Sequence, residues 1–431
     1  MNSSPRIMIT GRGAVCGAGL TLDAIWKALQ TGKSAVAPIS RWDIGRWPVK
    51  KAAEVAGVSD NTLVADRKYH KFLSRTDLFG LYAANMALHD SSLLAYRDRL
   101  DPAAATIFND RSGIFVGSGG GAYQNTYDFF PVLTAAEGKL PGFGRELDSW
   151  VNPMWLLTRL PNNVLCYIGI RHGLKGTNAC IANQCVGGIM AVAEAAAAIR
   201  SGEAERAVAA GHDTPIEPET LFHYHRLGLL AQEALRPFDR ERNGTIFGEG
   251  AAAVVLEREE EARARKAAVW GEFLGSGCTT EATGIVDVRP DGDGVSRAIE
   301  LALADAGIPP RAVGLVVAHG NGTPASDVSE ARALRRVFGR DLPPVTGFKW
   351  AFGHLIAASG VLDLVLALTA LREGEVPGIA TLKEVDPEIA PFPVASTPQQ
   401  PRSNIALVLC RGFGGMNVAL LVRGSTTTAE P

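Results

Sequence analysis

The chain has 431 residues, of which 46% are apolar and 20% charged, and its formal net charge is −2. These values are typical of a soluble globular protein with two domains or one large duplicated domain. They exclude a small scaffold that depends on disulfides, and the lack of a dense basic cluster argues against nucleic-acid binding.

The cysteines and the N-terminal segment favour a cytoplasmic protein. Six cysteines are scattered along the chain without the spacing of a disulfide framework, which suggests reduced thiols. The first residues, MNSSPRIMITGRG, lack the basic and apolar regions of a signal peptide. No apolar run reaches about 18 residues without charges or glycines, so we expect no membrane span.

Strand and helix patterns alternate through the first 258 residues. Apolar runs predict strands, and amphipathic or alanine-rich runs with polar starts or glycine ends predict helices. The predicted strands cover 6–10, followed by a glycine-rich turn, 112–121 with its glycine turn, 206–212 and 251–257. The predicted helices cover 21–32, 77–91, 162–173 and 186–202. The last two strands are almost continuously apolar, as in a sheet covered on both faces.

The alternation continues after a charged stretch, EREEEARARKA, near 258–270. Helices are predicted at 292–307, 327–339 and 357–374, and strands at 313–320 and 344–349. Residues 404–423 predict two antiparallel strands around a glycine turn. The pattern therefore indicates an α/β protein with two halves of similar plan.

Two cysteines in the segment TNACIANQCVGG (177–188) are candidate nucleophiles. Cys185 directly precedes the alanine-rich helix, where the positive end of the helix dipole favours a thiolate. Cys180 lies within a predicted strand, where a buried structural role is the default. Position alone makes Cys185 the better candidate and leaves a structural role open for both.

Two histidines and a lysine add a second set of candidates. His319 ends a strand in VVAHGNGTP, and His354 follows Lys349 by five residues in GFKWAFGHLIAASG. Functional groups of α/β proteins gather at the carboxyl ends of strands. One histidine at a strand end is more often structural, but two with glycine neighbours, a lysine and a cysteine favour catalysis.

Other motifs give weaker signals. His223 and His225 in LFHYHRLG resemble metal ligands, but no third ligand is evident, so we predict no metal site. The glycine-rich segments at 11–19 and 116–122 match neither nucleotide-binding fingerprint. Tight turns or close backbone packing explain these glycines better.

Five segments in a fixed order carry the strongest signal. They are GLKG (173–176), RPFDRERNGTIFGEGAAAVVLE (236–257), AHGNGTPASDVSEA (318–331), FKWAFGHLIAASGVLD (348–363) and GFGGMN (412–417). Together they resemble the β-ketoacyl-acyl carrier protein synthases, the elongating condensing enzymes of the thiolase superfamily. The resemblance implies a thiolase-like duplicated α-β-α-β-α five-layer sandwich. Residues 1–258 would form the half with the nucleophile, and residues 259–431 the half with the two histidines.

The resemblance also chooses between the two cysteines. The NAC at 178–180 imitates the family's usual TAC around its nucleophile. In the family, however, the cysteine follows the last glycine of GLKG by nine residues, which places it at Cys185. Counting back from SGEAERAVAAG gives the same residue, so the resemblance assigns the nucleophile to Cys185.

Further roles are implied by the resemblance, residue by residue. His319 and His354 match the pair that binds the malonyl thioester carbonyl and stabilises the enolate. Lys349 matches the lysine that organises the second histidine, and Phe413, after Gly412, matches a gate whose N–H completes an oxyanion hole with that of Cys185. The remaining matches are supporting acids and a group for the pantetheine arm: Glu249, Asp327, Glu330 and Thr323.

Several residues depart from the family pattern. Asn321 stands where a second threonine would hold the pantetheine arm, and Arg411 replaces an aromatic residue before GFGG. The other departures are Trp350 and Phe352 before His354 and the two residues assigned to the acyl pocket: Gln184, which precedes the nucleophile, and Gly120, where a bulky residue is frequent. These changes predict a specialised acyl substrate rather than housekeeping elongation.

Two other readings remain open. A thiolase would use a second cysteine near the C-terminus, for which Cys410 is available, but the thiolase Gly-His-Pro motif is absent. An inactive chain-length partner is the other alternative, although such partners typically lose the cysteine or the histidines. The main prediction is a decarboxylative condensation of an acyl group on Cys185 with malonyl carrier protein, in fatty acid, polyketide or polyene synthesis. No cofactor is expected; the partners would be acyl carrier protein and a second copy of the chain, or a related subunit in a heterodimer.

Overall fold

The computed structural model describes residues 5–119 and 129–425. Its strands are β1 Ile7–Cys16, β2 Ala37–Pro38, β3 Lys51–Ala52, β4 Ser112–Ser118, β5 Asn178–Ala182, β6 Arg206–Asp213, β7 Gly250–Arg258, β8 Gly271–Thr280, β9 Leu315–Val317, β10 Val345–Thr346, β11 Ile405–Gly412 and β12 Met416–Gly424. Its helices are α1 Leu22–Gln30, α2 Asp60–Leu63, α3 Arg75–Asp90, α4 Leu93–Arg97, α5 Pro102–Asp110, α6 Phe130–Ala135, α7 Leu140–Trp150, α8 Asn163–His172, α9 Gly187–Ser201, α10 Pro218–Arg226, α11 Glu259–Ala264, α12 Asp293–Ala306, α13 Pro324–Phe338, α14 Lys349–Phe352 and α15 Ser359–Glu373.

Ten strands form one mixed sheet in the order β5-β4-β6-β7-β1-β8-β12-β11-β9-β10. The sheet strands of each half can be numbered 1 to 5 in chain order: β1, β4, β5, β6 and β7 in the first half, and β8 to β12 in the second. With this numbering, both halves have the strand order 3-2-4-5-1 from the outer edge to the junction. The pairing directions also repeat, because strands 3, 2 and 4 are parallel and strands 5 and 1 antiparallel to their neighbours. The halves join where β1 pairs with β8. The duplication is therefore visible in the topology.

Helices cover the sheet in layers. Helix α3 packs on β1, β6 and β7 at one outer face, and α12 packs on β8 and β12 at the other. Between the halves lie α9 and α15, each of which contacts strands from both halves. Helix α15 is apolar on all sides and almost entirely buried, as expected for a helix surrounded by protein. The result is the five-layer α-β-α-β-α sandwich.

The first strand of each half carries glycines for the same reason. The predicted strand at 6–10 continues to Cys16, so a glycine turn at 11–19 is wrong for most of that segment. A Cβ on Gly11 or Gly13 would lie 2.2 or 2.1 Å from carbonyl oxygens of α3. In β8, which the sequence did not predict, a Cβ on Gly277 would lie 2.2 Å from a carbonyl oxygen of α12. Close helix packing therefore explains these glycines.

The other predicted elements are present, with shifted ends. Helices at 21–32, 77–91, 162–173, 186–202, 292–307, 327–339 and 357–374 correspond to α1, α3, α8, α9, α12, α13 and α15. The strand predicted over 313–320 is only three residues long, because the chain leaves the sheet before His319. Strands β11 and β12 pair antiparallel as predicted. We propose 1–258 and 259–431 as the two halves, since β7 ends at Arg258.

The described helices include no candidate membrane span. Within residues 5–119 and 129–425, each helix is too short or too polar to cross a bilayer.

Candidate active site

Cys185 lies in a short 3-10 turn between β5 and α9. Glycines after it allow a close approach, since a Cβ on Gly188 would lie 2.2 Å from the carbonyl oxygen of Ala357. This contact brings the start of α9 against the segment that precedes α15. Cys185 is thereby placed in the wall of a cavity that His319 and His354 also line. The three residues come from both halves of the chain.

The Cys185 thiol is protonated in the resting site. Burial raises its pKa to about 12, and the charge of Asp213 acts in the same direction, while Lys349 acts in the opposite one. The expectation that the start of a helix favours a thiolate is therefore outweighed by burial. Transfer of an acyl group to this sulfur requires that its proton be removed during the reaction.

Each histidine is held through its Nδ1 atom. The Nδ1 of His319 accepts the main-chain N–H of Arg411 at 3.3 Å. The Nδ1 of His354 accepts the N–H of Ile356 at 3.0 Å and lies 3.1 Å from the Ser359 hydroxyl. A ring nitrogen that accepts an N–H carries no proton, so the neutral ring has its proton on Nε2. The ring centroids are 5.1 Å apart, which leaves two N–H donors beside one another.

Both rings are neutral at pH 7. Burial lowers the pKa of His319 well below its ordinary value, and the charge of Lys349 adds to this effect. Burial and Lys349 lower the pKa of His354 in the same way. Neutral rings with a fixed tautomer donate hydrogen bonds without introducing a positive charge.

Lys349 lies behind the cavity rather than in its wall. Its ammonium donates to Asp363 at 2.7 Å, and both side chains are fully buried. Burial acts to lower the pKa of Lys349, but Asp363 outweighs it and the pKa is raised, so the lysine stays charged. The prediction that Lys349 is near the second histidine is consistent with its charge effect on His354.

The three predicted acids hold the backbone around the site. Glu330 accepts the main-chain N–H groups of His319 at 2.7 Å and Gly320 at 3.0 Å. Asp327 accepts the N–H groups of Phe238 and Gly322. These two carboxylates fix the loop that follows β9.

Glu249 lies farther from the cavity. It binds the Arg75 guanidinium and the N–H of Val55. The neighbouring Gly248 donates its N–H to the carbonyl of His354, so Glu249 fixes a segment that contacts the histidine.

Phe413 separates the cavity from a second one. Its ring stacks on Tyr224 with centroids 5.2 Å apart, and both rings line the two cavities. A Cβ on Gly412 would be 3.6 Å from that of Cys185, so the turn lies against the cysteine. The second cavity, about 310 Å³, is also lined by Gln184. Gly120, the other predicted acyl-pocket residue, lies outside the described residues.

Asn321 and Thr323 line the first cavity as a connected pair. The Asn321 side-chain oxygen accepts the N–H of Thr323 at 3.0 Å and its hydroxyl at 2.8 Å. Arg411 also lines this cavity. Trp350 and Phe352 do not line it, because both are buried in the core. The bulk of those two residues therefore leaves the cavity free.

The alternative cysteines have other surroundings. Cys180 on β5 is partly exposed and its thiol donates to the carbonyl of Pro161 at 3.3 Å. Cys410 is buried behind the nucleophile, where its thiol donates to the main-chain carbonyl of Cys185 at 3.1 Å. His223 and His225 lie on α10, and within the described part of the chain no three His, Cys, Asp or Glu side chains form a metal-binding group.

Sequence reasoning missed three polar residues of the site. Asp363 could have been found as the one acid in the apolar stretch GVLDLVLALTAL. Glu281 carries no comparable signal, because its partner Arg411 is 130 positions away. Ser359 is only five positions from His354, but a serine in that segment does not by itself indicate a contact with the ring.

The comparisons with known proteins agree with this geometry. The model of the β-ketoacyl synthase N-terminal domain matches residues 4–262, and that of the C-terminal domain matches residues 270–383. A 3-oxoacyl-[acyl-carrier-protein] synthase 2 from Synechocystis sp. is 31% identical, with 96% of this chain and 97% of the relative covered.

Solved structures give the same result. A β-ketoacyl synthase from Burkholderia phymatum is 27% identical with a TM-score of 0.85, covering 98% of this chain and all of that one. The ishigamide ketosynthase/chain length factor is 26% identical with a TM-score of 0.85 and the same coverage. The chain belongs to the β-ketoacyl synthase family of condensing acyltransferases.

Proposed function

We propose that the chain condenses an acyl group held on Cys185 with a malonyl group held on acyl carrier protein. In the first step the Cys185 sulfur attacks the acyl thioester, the carrier thiol leaves with a proton, and the acyl-enzyme forms. In the second step malonyl carrier protein loses CO2, and its enolate attacks the acyl-enzyme. The carbon–sulfur bond to Cys185 then breaks, the sulfur leaves with the electron pair and takes up a proton from solvent, and a 3-oxoacyl carrier protein two carbons longer is released.

One observation carries this proposal: the cavity places a thiol beside two imidazoles whose Nδ1 atoms are both occupied by main-chain N–H groups. Their Nε2–H groups can donate to the thioester oxygen, on which negative charge develops as CO2 leaves. Donors fixed in advance around a developing charge lower the barrier without reorganisation. Lys349 would act indirectly, through the charge that keeps the rings neutral.

The acylation step would use a different group of atoms. The main-chain N–H groups of Cys185 and Phe413 are the proposed oxyanion hole, and the contact between Gly412 and Cys185 brings the two segments together. Phe413 would act as the gate, since it lies between the first cavity and the second, into which the acyl chain would extend.

The carrier's pantetheine arm would lie along Asn321 and Thr323. The two residues line the first cavity and form a hydrogen-bonded polar pair. The substitution of asparagine for a second threonine keeps a side-chain donor, because the Asn321 oxygen is occupied by Thr323 and its amide NH2 remains to donate. The Synechocystis relative is named for acyl carrier protein, which supports the same carrier here.

A homodimer is the proposed assembly. Among residues 5–119 and 129–425, strand β5 forms an edge of the sheet, with one side of its backbone unpaired, and edges of this kind readily pair with another chain. The segment 130–160 also exposes large apolar side chains, with Leu140 80%, Leu156 60% and Trp150 54% exposed. Exposed apolar groups concentrated in one segment are typical of a protein interface.

The dimer can be tested by sedimentation at several concentrations. We expect a particle of twice the chain mass, and we expect Asn178→Pro in β5 to shift it toward monomer, because the N–H of Asn178 faces the open edge rather than β4 and proline removes this donor. Thr106→Ala, on the exposed face of α5, serves as the control. A wild-type protein that stays monomeric at micromolar concentration would contradict the proposal.

An inactive chain-length partner is the second candidate, since one structural relative is a ketosynthase/chain length factor. The gathering of Cys185, His319 and His354 in one cavity favours the active enzyme. The deciding experiment is intact-protein and peptide mass spectrometry after incubation with acyl carrier thioesters of different chain types. We expect an acyl adduct on Cys185. An adduct on Cys180 would overturn the assignment, and no adduct with any chain would favour the inactive partner.

A further inference from the structure

Arg411 is a buried cation in the wall of the catalytic cavity. Its side chain donates to Glu281 at 2.8 Å, to Asn417 at 2.9 Å and to the carbonyl of Ser326 at 3.0 Å. Arg411 is 6% exposed and Glu281 is equally enclosed. Each nitrogen of the guanidinium therefore has a partner within the chain, and Glu281 already supplies the counter-charge.

These contacts join three segments of the cavity wall. Glu281 directly follows β8, Ser326 lies in the first turn of α13, and Asn417 lies on β12. Glu281 also accepts the main-chain N–H of Arg289 at 2.7 Å, which fixes the loop after β8. The planar fork of an arginine holds several acceptors in one geometry, which lysine or an aromatic ring would not do.

The main chain of the same residue holds a catalytic imidazole. The N–H of Arg411 is the donor to the Nδ1 of His319, at 3.3 Å. Because the anchored side chain limits movement of this peptide unit, it limits movement of the N–H as well. Loss of that hydrogen bond would release the ring to rotate and to exchange tautomers.

We propose that the Arg411 guanidinium is a positioning group for His319, so that decarboxylation of the malonyl group depends on it and acylation of Cys185 does not. The inference rests on the proposed function for its activity test. A buried ion pair is weak support for stability, since an apolar residue of similar volume often serves as well. The cost of burying Arg411 and Glu281 is better explained by the geometry that the pair imposes.

The charge of Arg411 provides a second test of the proposal, because it affects the pKa of His319. The charged and titratable groups facing His319 are Lys349, His354, Arg411 and the Glu330 carboxylate. Burial lowers the pKa of His319, and the positive charge of Arg411 is one of the further causes. Removal of that charge raises the pKa, so protonation of the ring would begin at higher pH.

The experiment compares Arg411→Met with Arg297→Met, which removes a half-exposed arginine ion-paired to Asp293 outside the cavity. We expect Arg411→Met to reduce the release of CO2 from malonyl carrier protein at least about 10-fold, with acylation of Cys185 within about 2-fold of wild type. The acid limb of decarboxylation should move to higher pH. Arg297→Met should change neither step.

The double variant Arg411→Met/Glu281→Gln separates positioning from stability. It leaves no unpaired charge, so the melting temperature should recover relative to Arg411→Met. Decarboxylation should stay low in the double variant. If decarboxylation recovers together with the melting temperature, or if Arg411→Met decarboxylates at the wild-type rate, the inference is overturned.

A measurement that needs no activity keeps the two proposals separate. With ¹⁵N-labelled histidine, the ring nitrogens of His319 should report protonated Nε2 and unprotonated Nδ1 in the wild type, and a mixed population in Arg411→Met. An unchanged tautomer in Arg411→Met contradicts the inference even if the enzyme is active. If the tautomer shifts but no carrier substrate reacts with wild type, the proposed function fails and the positioning of His319 stands.

Discussion

The two halves of the sheet have the same topology and different chemistry. In each half the segment between the third strand, β5 or β10, and the central helix, α9 or α15, ends in a short 3-10 turn. The first turn contains Cys185, and His354 lies two residues before the second, Ile356–Ala358. Corresponding segments of a repeated architecture therefore present a nucleophile and a hydrogen-bond donor to one cavity.

The difference lies in what surrounds each functional group. Cys185 is fixed by close backbone packing at Gly187 and Gly188. The histidines of the other half are fixed by main-chain donors and by buried charged groups, which include the Lys349–Asp363 pair. A nucleophile needs a defined position, whereas an imidazole donor also needs a defined tautomer and charge. The buried donors and charged groups that fix the tautomer and charge accordingly surround the histidines of the C-terminal half.

The largest expected effect concerns the nucleophile. Cys185→Ala should abolish acylation and lower condensation at least about 10³-fold, because the group that carries the acyl chain is removed. Cys180→Ala, in the strand just before, should retain activity within about 2-fold. Acyl-enzyme formation followed by mass spectrometry tests both. An acyl adduct on Cys185→Ala would show that a residue other than Cys185 is the nucleophile.

The next effect should show that the two halves serve different steps of the reaction. His354→Leu removes one hydrogen-bond donor and should lower malonyl decarboxylation about 10²–10³-fold, while acylation of Cys185 changes much less. The two steps are measured as CO2 release and as adduct formation on the same preparation. His89→Leu, at the exposed end of α3, is the matched control. An equal loss of both steps in His354→Leu would mean that the halves do not divide the reaction.

The third effect concerns the free energy of unfolding and the buried Lys349–Asp363 pair. Asp363→Asn leaves the Lys349 ammonium buried without its counter-charge and should lower the free energy of unfolding by about 3–5 kcal/mol. Lys349→Met/Asp363→Leu should recover part of this loss and remain impaired in decarboxylation. Urea denaturation monitored by tryptophan fluorescence measures the change. Full recovery of activity in the double variant would contradict a role for the charge of Lys349.

The smallest effect concerns the acid limb of the decarboxylation rate, which should lie at lower pH than that of an ordinary histidine. The pKa values of His319 and His354 lie well below the ordinary histidine value, so the neutral rings persist as pH falls through 6.5. Decarboxylation should therefore keep most of its rate at pH 6, and its acid limb should lie below the ordinary histidine value of about 6.5. The rate of CO2 release between pH 5 and pH 8 tests this expectation. A limb centred near pH 6.5 would show that at least one ring titrates normally.

Most of the helices and the family could be predicted from the sequence because their signals are local. Alanine-rich α9 and apolar α15 have strong patterns, and the motifs around His319 and His354 lie in short continuous segments. Strand β8 was missed because its glycines lower the strand signal, and only the helix packed on it explains them. The turn predicted after residue 10 was wrong for the same reason.

The electrostatic part of the site could not be predicted in this way. The partners Arg411 and Glu281 are 130 positions apart, and the Cys410 thiol meets the carbonyl of Cys185 across 225 positions. Such pairs exist only after the two halves have packed. The dipole argument for the Cys185 thiolate failed because burial is also a property of the assembled cavity.

The two central helices make the halves inseparable. Since α9 and α15 each contact strands of both halves, a half expressed alone would expose a helix face that the other half normally covers. The chain should therefore melt in a single cooperative transition although its topology is repeated. A nick between β7 and β8 would give two fragments that copurify, and neither fragment would refold without the other.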